Sequence, residues 1–117
     1  MSGSTSFHAG ESAETSVARS YEQRGFRISA TRYKTRSGEI DLIAEQDGQI
    51  VFIEVKKSKS HARAAERLSS RQMLRIYETA SEFLATCPDG QDTSSRFDVA
   101  LVDAMGKIEI LENAFAP

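Results

Sequence analysis

Residues 38–57 read GEIDLIAEQDGQIVFIEVKK and predict a β-hairpin at the centre of the fold. Apolar residues at Ile40, Leu42 and Ala44 recur with a period of two, as in a strand with one buried face. The dipeptide Asp47-Gly48 is among the strongest short hairpin signals, because both turn positions require a positive φ angle. The stretch therefore predicts strands over 38–45 and 49–57 that are joined by a two-residue turn.

A two-residue turn determines which residues face each other across this hairpin. Three facing pairs are then wholly apolar and predict a core face: Ile40 with Val55, Leu42 with Ile53, and Ala44 with Val51. On the opposite face we expect Asp41 opposite Glu54, and Glu39 opposite Lys56. The register that forms the core face therefore gathers three carboxylates and a lysine at one end of the hairpin.

Facing carboxylates in a sheet repel each other, because the Cβ atoms of directly opposed residues lie about 4.5–5.5 Å apart. A divalent cation removes this repulsion, since Mg²⁺ prefers oxygen ligands and binds one or two carboxylates together with water and phosphate. A neighbouring lysine can orient or deprotonate a water molecule, or stabilise charge that develops on a phosphate. Asp41, Glu54 and Lys56 therefore predict a site for hydrolysis of a phosphodiester.

The alternative interpretation of these charges is a ladder of surface ion pairs. Glu39 would then pair with Lys56, and Asp41 would pair with a nearby arginine. Such exposed pairs are common and stabilise a fold by about 0–1 kcal/mol. This alternative explains Glu39 and Lys56, but it leaves Asp41 opposite Glu54 unexplained.

The flanking sequence predicts helices and strands on both sides of the hairpin. In chain order we expect a helix over 11–24, a strand over 26–33, the hairpin, a second helix capped by Ser69 or Ser70, and strands over 96–102 and 107–111. The second helix carries one apolar stripe, made of Met73, Ile76, Tyr77, Ala80, Phe83 and Leu84. Residues 58–68 are basic and only weakly patterned, and residues 87–95 read as a loop. This order predicts an α/β domain around one sheet.

The length of 117 residues is that of one domain. Residues 1–10 are rich in Ser and Gly and are expected to form a flexible leader, so that residues 11–117 form a single domain. Cys87 is the only cysteine, so an intramolecular disulfide is excluded and a cytoplasmic protein is expected. No apolar run approaches the ~20 residues of a membrane span, and we expect no membrane partner.

Basic residues are concentrated in two segments, although the net charge is −2. Residues 24–36 carry five of them and no acid, and residues 56–75 carry seven against the single acid Glu66. These segments hold 12 of the 15 Lys and Arg residues, an asymmetry that is typical of polyanion binding. The alternative is two solvated faces. Arginines at 63, 67, 71 and 75 recur every four residues and would form one basic edge on a helix that began early.

Four motifs together resemble the YraN-like family of uncharacterised bacterial proteins. They are GEIDLI over 38–43, VFIEVK over 51–56, RFDV over 96–99 and NAF over 113–115. The resemblance extends from about Gly10 to Phe115. That family is similar to the restriction-endonuclease-like nuclease superfamily, which includes archaeal Holliday junction resolvases. The resemblance implies a core of a helix, three strands, a helix and a further strand around one mixed sheet, which agrees with the predicted order.

The resemblance also implies a role for each matching residue. Asp41 matches the metal-binding aspartate of the superfamily, and Glu54 and Lys56 match its Glu-x-Lys pair. The backbone carbonyl of Val55 is implied as a further metal ligand. Glu14 matches a first-helix glutamate that reaches the metal or its waters in such enzymes.

Two departures from the family pattern concern contacts with nucleic acid. Ser58 stands where members often carry a basic residue, although Lys57 and Lys59 flank it. Gln72 stands where a lysine is common, with Arg71 adjacent. The candidate nucleic-acid contacts are Arg36, Lys57, Lys59, Arg71, Gln72 and Arg75.

The predicted function is that of a Mg²⁺- or Mn²⁺-dependent endonuclease, a hydrolase that acts on DNA, including branched or damaged DNA. No small-molecule cofactor is expected. Nucleases of this superfamily that act on two strands are often dimers, so the resemblance implies a homodimer. Two alternatives stay open: a catalytically silent nuclease fold that binds nucleic acid or a protein partner, and a nuclease that is active only within a complex.

Three further residues are not assigned to the site. His61 lies in the basic linker, and Cys87 has no His or second Cys at metal-binding spacing. Asp98 begins a strand and, in the resembling family, belongs to the sheet rather than to the metal.

Overall fold

The hairpin at residues 38–57 lies at the centre of a five-stranded sheet in the computed structural model of the protein. The structure describes residues 2–66 and 68–115, and within these ranges it describes side chains from Ala13 onward. The helices are α1 (Ser2–Gln23), α2 (His61–Glu66) and α3 (Ser70–Leu84), with a short 3₁₀ turn at Gly90–Asp92. The strands are β1 (Arg27–Lys34), β2 (Glu39–Gln46), β3 (Gln49–Lys57), β4 (Ser95–Val102) and β5 (Ile108–Phe115).

The sheet is mixed and has the spatial order β1-β2-β3-β4-β5. Neighbouring strands run antiparallel, except that β3 and β4 run parallel. A parallel pair requires a long crossover connection, and α2 and α3 provide it. The sheet and three helices confirm the predicted α/β domain with one mixed sheet.

The turn of the central hairpin has the predicted geometry. Asp47 and Gly48 have φ angles of 51° and 81°, so both turn residues adopt the left-handed region. Five facing pairs, from Gln46 opposite Gln49 to Leu42 opposite Ile53, follow the predicted register.

Helices cover both faces of the sheet. On one face α1 contributes Ala13, Val17 and Tyr21 to a core that includes Leu42 and Ile53. On the other face, α3 contributes residues of its apolar stripe to a second core. This second core contains Ile40, Ile43, Ile50, Phe52, Ile76, Ala80, Leu84 and Phe97. The hairpin is therefore buried on both faces along most of its length.

Ile40 lies on a different face from the one expected. It packs in the α3-side core, whereas Leu42 packs in the α1-side core, so strict alternation fails between them. Arg32, which lies opposite the intervening Asp41 in the β1–β2 register, has a φ of 48°. Tyr33, which lies opposite Ile40 in the β1–β2 register, packs against the same α3-side core. The expected pair of Ile40 with Val55 is therefore wrong.

Residues 58–68 contain α2, which the weak pattern of this segment did not predict. The Ser60 hydroxyl accepts a hydrogen bond from the Arg63 backbone N–H at 3.2 Å, and Ala64 is buried against Val99 and Leu101. The helix ends before Ser69, whose hydroxyl caps α3 by accepting the Gln72 N–H at 3.1 Å. The continuous basic edge expected along 63–75 is therefore interrupted, and Arg67 lies outside the described residues.

The first helix and the last strand both extend beyond their predicted bounds. Helix α1 begins at Ser2 rather than near Glu11. The flexibility expected of residues 1–10 stays a prediction, because the side chains of residues 1–12 lie outside the described part of the chain. Strand β5 continues to Phe115, because a register shift with a φ of 51° at Asn113 allows pairing to resume at Phe97. None of the described helices is long and apolar enough to cross a membrane.

Candidate active site

Asp41 binds the neighbouring strand through its side chain. The backbone pairing of β2 with β3 reaches Leu42 and Ile53, and the next contact is a hydrogen bond of 2.8 Å from the Val55 N–H to Asp41 Oδ2. The Asp41 carboxylate thus accepts the hydrogen bond from the Val55 N–H, which a backbone carbonyl would accept in a regular strand pair. The expected facing pairs of Asp41 with Glu54 and of Glu39 with Lys56 are not part of the ladder.

Glu54 is a buried carboxyl group at the centre of the site. Its residue is 5% exposed, and the α3 side chain of Gln72 donates a hydrogen bond to Glu54 Oε2. Lys56 Nζ lies 3.3 Å from the same oxygen. Strand β3 therefore carries the acid and the lysine on one face, and α3 covers that face.

The protonation of Glu54 depends on its burial and on the neighbouring Asp41. Burial, and then a hydrogen bond with Asp41 and the negative charge of Asp41, raise the pKa of Glu54 to about 8, whereas the Lys56 ammonium opposes the shift. The pKa of Glu54 is thus close to neutral pH, far above the ordinary value of 4.5. The fold therefore holds together two acids that disfavour simultaneous ionisation.

The geometry argues against the ladder of surface ion pairs. Lys56 pairs with Glu54 rather than Glu39, and both side chains of this pair are largely buried, with 17% and 6% of their surface exposed. Arg32, the residue opposite Asp41, pairs instead with Glu14 at 3.3 Å between Nε and Oε2.

Glu14 is not gathered with the other acids. It lies on α1, on the other side of the sheet from α3, and its carboxylate is held by the exposed guanidinium of Arg32. In the described part of the chain, no group of three or more His, Cys, Asp or Glu side chains is placed to hold a metal ion. The metal roles of Glu14 and of the Val55 carbonyl stay predictions.

The donor chemistry of the remaining pair fits a hard divalent cation. Asp41 and Glu54 offer carboxylate oxygens, which Mg²⁺ and Mn²⁺ prefer, and two protein carboxylates with water and phosphate are a common set for Mg²⁺. Burial, and then the neighbouring Asp41, disfavour a negative charge on Glu54. A divalent cation would neutralise that charge in place of a proton.

The candidate nucleic-acid contacts fall in two places. Arg71, Gln72 and Arg75 lie on the first turns of α3 and line a cleft beside the β1–β2 turn, which contains the exposed Arg36. Lys57 ends β3 and Lys59 follows it, both exposed. Gln72, which was expected to contact nucleic acid, reaches inward to Glu54. The expected nucleic-acid contact of Gln72 rested on the family pattern, in which a lysine is common at this position, and on the adjacent Arg71.

Asp98 has the structural role that the resemblance implied. It is fully buried and receives hydrogen bonds from the Tyr21 hydroxyl at 2.7 Å, the Asn113 N–H at 2.9 Å, and the Arg96 guanidinium at 3.0 and 3.1 Å. Burial, the hydrogen bond and the charge of Asp98 raise the pKa of Tyr21. This network joins α1, β4 and β5, and its residues are separate from the Asp41–Glu54 pair.

His61, to which we assigned no role, bridges α2 to the β4–β5 hairpin. Its Nδ1 lies 3.0 Å from Glu109 Oε2, and its Nε2 lies 2.9 Å from the Lys107 carbonyl and 3.8 Å from Asp103 Oδ2. No local sequence pattern indicates this contact, because its partners lie more than 40 residues away in the chain.

Comparisons with known proteins agree over most of the chain. The profile of a family described as "Uncharacterised protein family UPF0102" matches residues 13–102, which include Asp41, Glu54 and Lys56. A UPF0102 protein of Cereibacter sphaeroides (strain KD131) is 63% identical over 116 residues, 99% of both chains. A UPF0102 protein of Ruegeria pomeroyi is 58% identical over 107 residues, 92% of this chain and 87% of the relative. A third, of Dinoroseobacter shibae, is 42% identical over 111 residues, 95% of this chain and 83% of the relative. The chain therefore belongs to the UPF0102 family, in agreement with its YraN-like motifs.

Proposed function

We propose that this protein is a cytoplasmic, Mg²⁺- or Mn²⁺-dependent endonuclease of the restriction-endonuclease-like type, which hydrolyses phosphodiester bonds of DNA. Branched and damaged DNA are the first substrates to test. The order of elements, a helix, three strands, a helical crossover and a parallel strand, supports this proposal.

The observation that carries the proposal is the buried pair of carboxyls beside a lysine. Asp41 and Glu54 are held against each other although their charges repel, and Lys56 lies 3.3 Å from Glu54. Such an arrangement is costly for folding, since a buried carboxyl beside a second acid resists ionisation. Perturbed acids of this kind are concentrated at functional sites.

Each side chain has a distinct part in the proposed reaction. The Val55 N–H fixes the orientation of Asp41, and Gln72 fixes that of Glu54. Lys56 can orient the attacking water or stabilise charge on the phosphate. A bound divalent cation would polarise the phosphate and lower the pKa of a coordinated water.

The test is cleavage of end-labelled single-stranded, duplex, flap and four-way-junction DNA with Mg²⁺, Mn²⁺ or EDTA. We expect wild-type protein to cut at least one substrate only when metal is present, and Asp41→Ala to lose that activity by at least a hundredfold. Glu45→Ala is the matched control, because this β2 carboxylate pairs with the exposed Arg27 outside the site. Equal cleavage by wild type and Asp41→Ala, or no cleavage of any substrate, would contradict the proposal.

A second candidate function is a nuclease fold that binds nucleic acid or a protein partner without cutting. The observation that favours it is that Gln72 and Lys56 already satisfy Glu54, while Glu14 pairs with Arg32 rather than with the other acids. DNA affinity that survives EDTA, with no product at any metal concentration, would favour this candidate over the first.

A further inference from the structure

A cleft of about 270 Å³ lies between the β1–β2 turn and the first half of α3. Its walls are Gly38, Glu39, Ser69, Arg71, Gln72, Arg75 and Ile76. It adjoins the candidate active site, because Gln72 in its wall donates a hydrogen bond to Glu54.

The shape of the cleft depends on a close approach at Gly38. A Cβ atom at this position would lie 3.2 Å from Thr79 Oγ1 and 3.4 Å from the Arg75 Cβ. A side chain at residue 38 would therefore require Thr79 to shift by a few tenths of an ångström, and glycine allows the β1–β2 turn to pack on α3 without this shift. Ser69, which also lines the cleft, caps the start of α3: its hydroxyl accepts a hydrogen bond from the Gln72 N–H.

The cleft is lined by two arginines that have no carboxylate partner among the described side chains. Arg71 and Arg75 are exposed, and neither forms an ion pair with any residue that the structure describes. Three other surface arginines are paired: Arg24 with Glu112, Arg27 with Glu45, and Arg32 with Glu14. The acid in the cleft, Glu39, is exposed and lies opposite Lys34 in the β1–β2 register.

The spacing of these arginines suits a chain of phosphates. Residues four apart on a helix lie on one face, about 6 Å apart along its axis. Guanidinium groups donate bidentate hydrogen bonds to phosphate oxygens, which is the strongest geometry for this pairing. The positive charge of both groups would favour a strand that leads away from the Asp41–Glu54 pair along α3.

We propose that this cleft binds the backbone of one DNA strand, with Arg71 and Arg75 contacting phosphates next to the one that the active site cuts. The inference rests on the proposed function for the identity of the strand. It adds that these contacts form without metal, because they involve neither Asp41 nor Glu54.

The test is binding of fluorescein-labelled single-stranded and duplex DNA to the full-length protein in EDTA, at a series of salt concentrations. Each phosphate contact contributes a slope of roughly 0.7–0.9 to the plot of log affinity against log salt. We expect Arg71→Ala and Arg75→Ala each to weaken binding several-fold and to lower the magnitude of this slope by about the contribution of one phosphate contact. The matched control is Arg19→Ala, an exposed arginine of α1 that lines a different cleft.

A second arm replaces single phosphates of the strand by neutral methylphosphonates. We expect a loss of affinity at one or two positions with wild type, and no such loss at those positions with Arg71→Ala. An equal loss at every position, or effects of Arg19→Ala as large as those of Arg71→Ala, would overturn the inference in favour of diffuse charge attraction. Because no cleavage occurs in EDTA, position-specific binding without later metal-dependent cleavage would refute the nuclease proposal alone.

Discussion

Glu54 combines burial with a neighbouring acid, and this combination has a measurable consequence for stability. The residue is 5% exposed, and its pKa is raised to about 8 by burial and by Asp41. In the unfolded chain the same group has a pKa near 4.5 and is ionised at neutral pH. The folded protein without metal therefore holds this carboxyl in an unfavourable state at pH 7.

Replacing Glu54 with Gln is expected to abolish cleavage without lowering the stability of the fold. The amide has the same shape and no charge, so the free energy of unfolding of the metal-free protein should stay unchanged or rise by about 1–2 kcal/mol at pH 7. Cleavage should be lost, because the amide cannot replace the carboxylate beside Asp41. The measurement is urea unfolding in EDTA beside the cleavage assay. A fall in unfolding free energy of more than about 2 kcal/mol would show that the charge stabilises the fold.

The same residues show what the sequence could predict at this scale. Period-two alternation and the Asp-Gly turn brought Asp41, Glu54 and Lys56 to one end of the hairpin, and the structure brings them together. Alternation could not predict that the Asp41 carboxylate accepts the Val55 N–H, since that contact depends on a break in the ladder. The φ of 48° at Arg32 also has no sequence signal, because arginine rarely adopts a positive φ.

At the scale of elements, α2 is attached to the β4–β5 hairpin by His61. Both ring nitrogens face acceptors: Nδ1 faces Glu109 on β5, and Nε2 faces the Lys107 carbonyl and the Asp103 carboxylate in the turn. Only the doubly protonated ring can donate to both sides. The Lys107 carbonyl, and then Glu109 and Asp103, raise the pKa of His61 above its ordinary value of 6.5.

This contact predicts a pH dependence of stability. A raised pKa of a histidine means that its stabilising effect is complete below 6.5 and is lost as the pH rises through the folded value. The free energy of unfolding should therefore decrease above pH 6.5, and that of the His61→Gln variant should decrease less over the same range. Urea unfolding at a series of pH values, in a Glu54→Gln background that removes the titration of Glu54, measures this difference. Parallel curves for the two proteins would contradict the predicted role of His61.

The elements that sequence analysis identified are those with long periodic patterns. α3, with its capping Ser69 and apolar stripe, and strands β1 to β4 lie within one or two residues of their predicted bounds. Helix α2 has six residues and one buried side chain, Ala64, so it offers too little periodicity to detect. Strand β5 was predicted to end at 111, because the bulge at Asn113 interrupts its alternation.

At the scale of the whole molecule, the sheet and α3 place the Asp41–Glu54 pair beside Arg71 and Arg75, which form no ion pair within the part of the chain that the structure describes. The net charge of −2 does not indicate this arrangement, because the total also includes the acids that pair with Arg24, Arg27 and Arg32 elsewhere on the surface. The four-residue spacing predicted Arg71 and Arg75 as part of a basic edge, and the packing of the β1–β2 turn on α3 adds the cleft that both residues line. That packing joins residues far apart in the chain, which a local sequence pattern cannot reveal.

Isothermal titration of the protein with Mn²⁺ measures whether Asp41 and Glu54 hold a divalent cation. We predict one Mn²⁺ bound per chain by the wild type and by the control Glu45→Gln, and loss of this binding in Asp41→Asn and in Glu54→Gln. Circular dichroism of each variant confirms that the fold is retained. Absence of Mn²⁺ binding by the wild type, or undiminished binding by Asp41→Asn, would contradict the account.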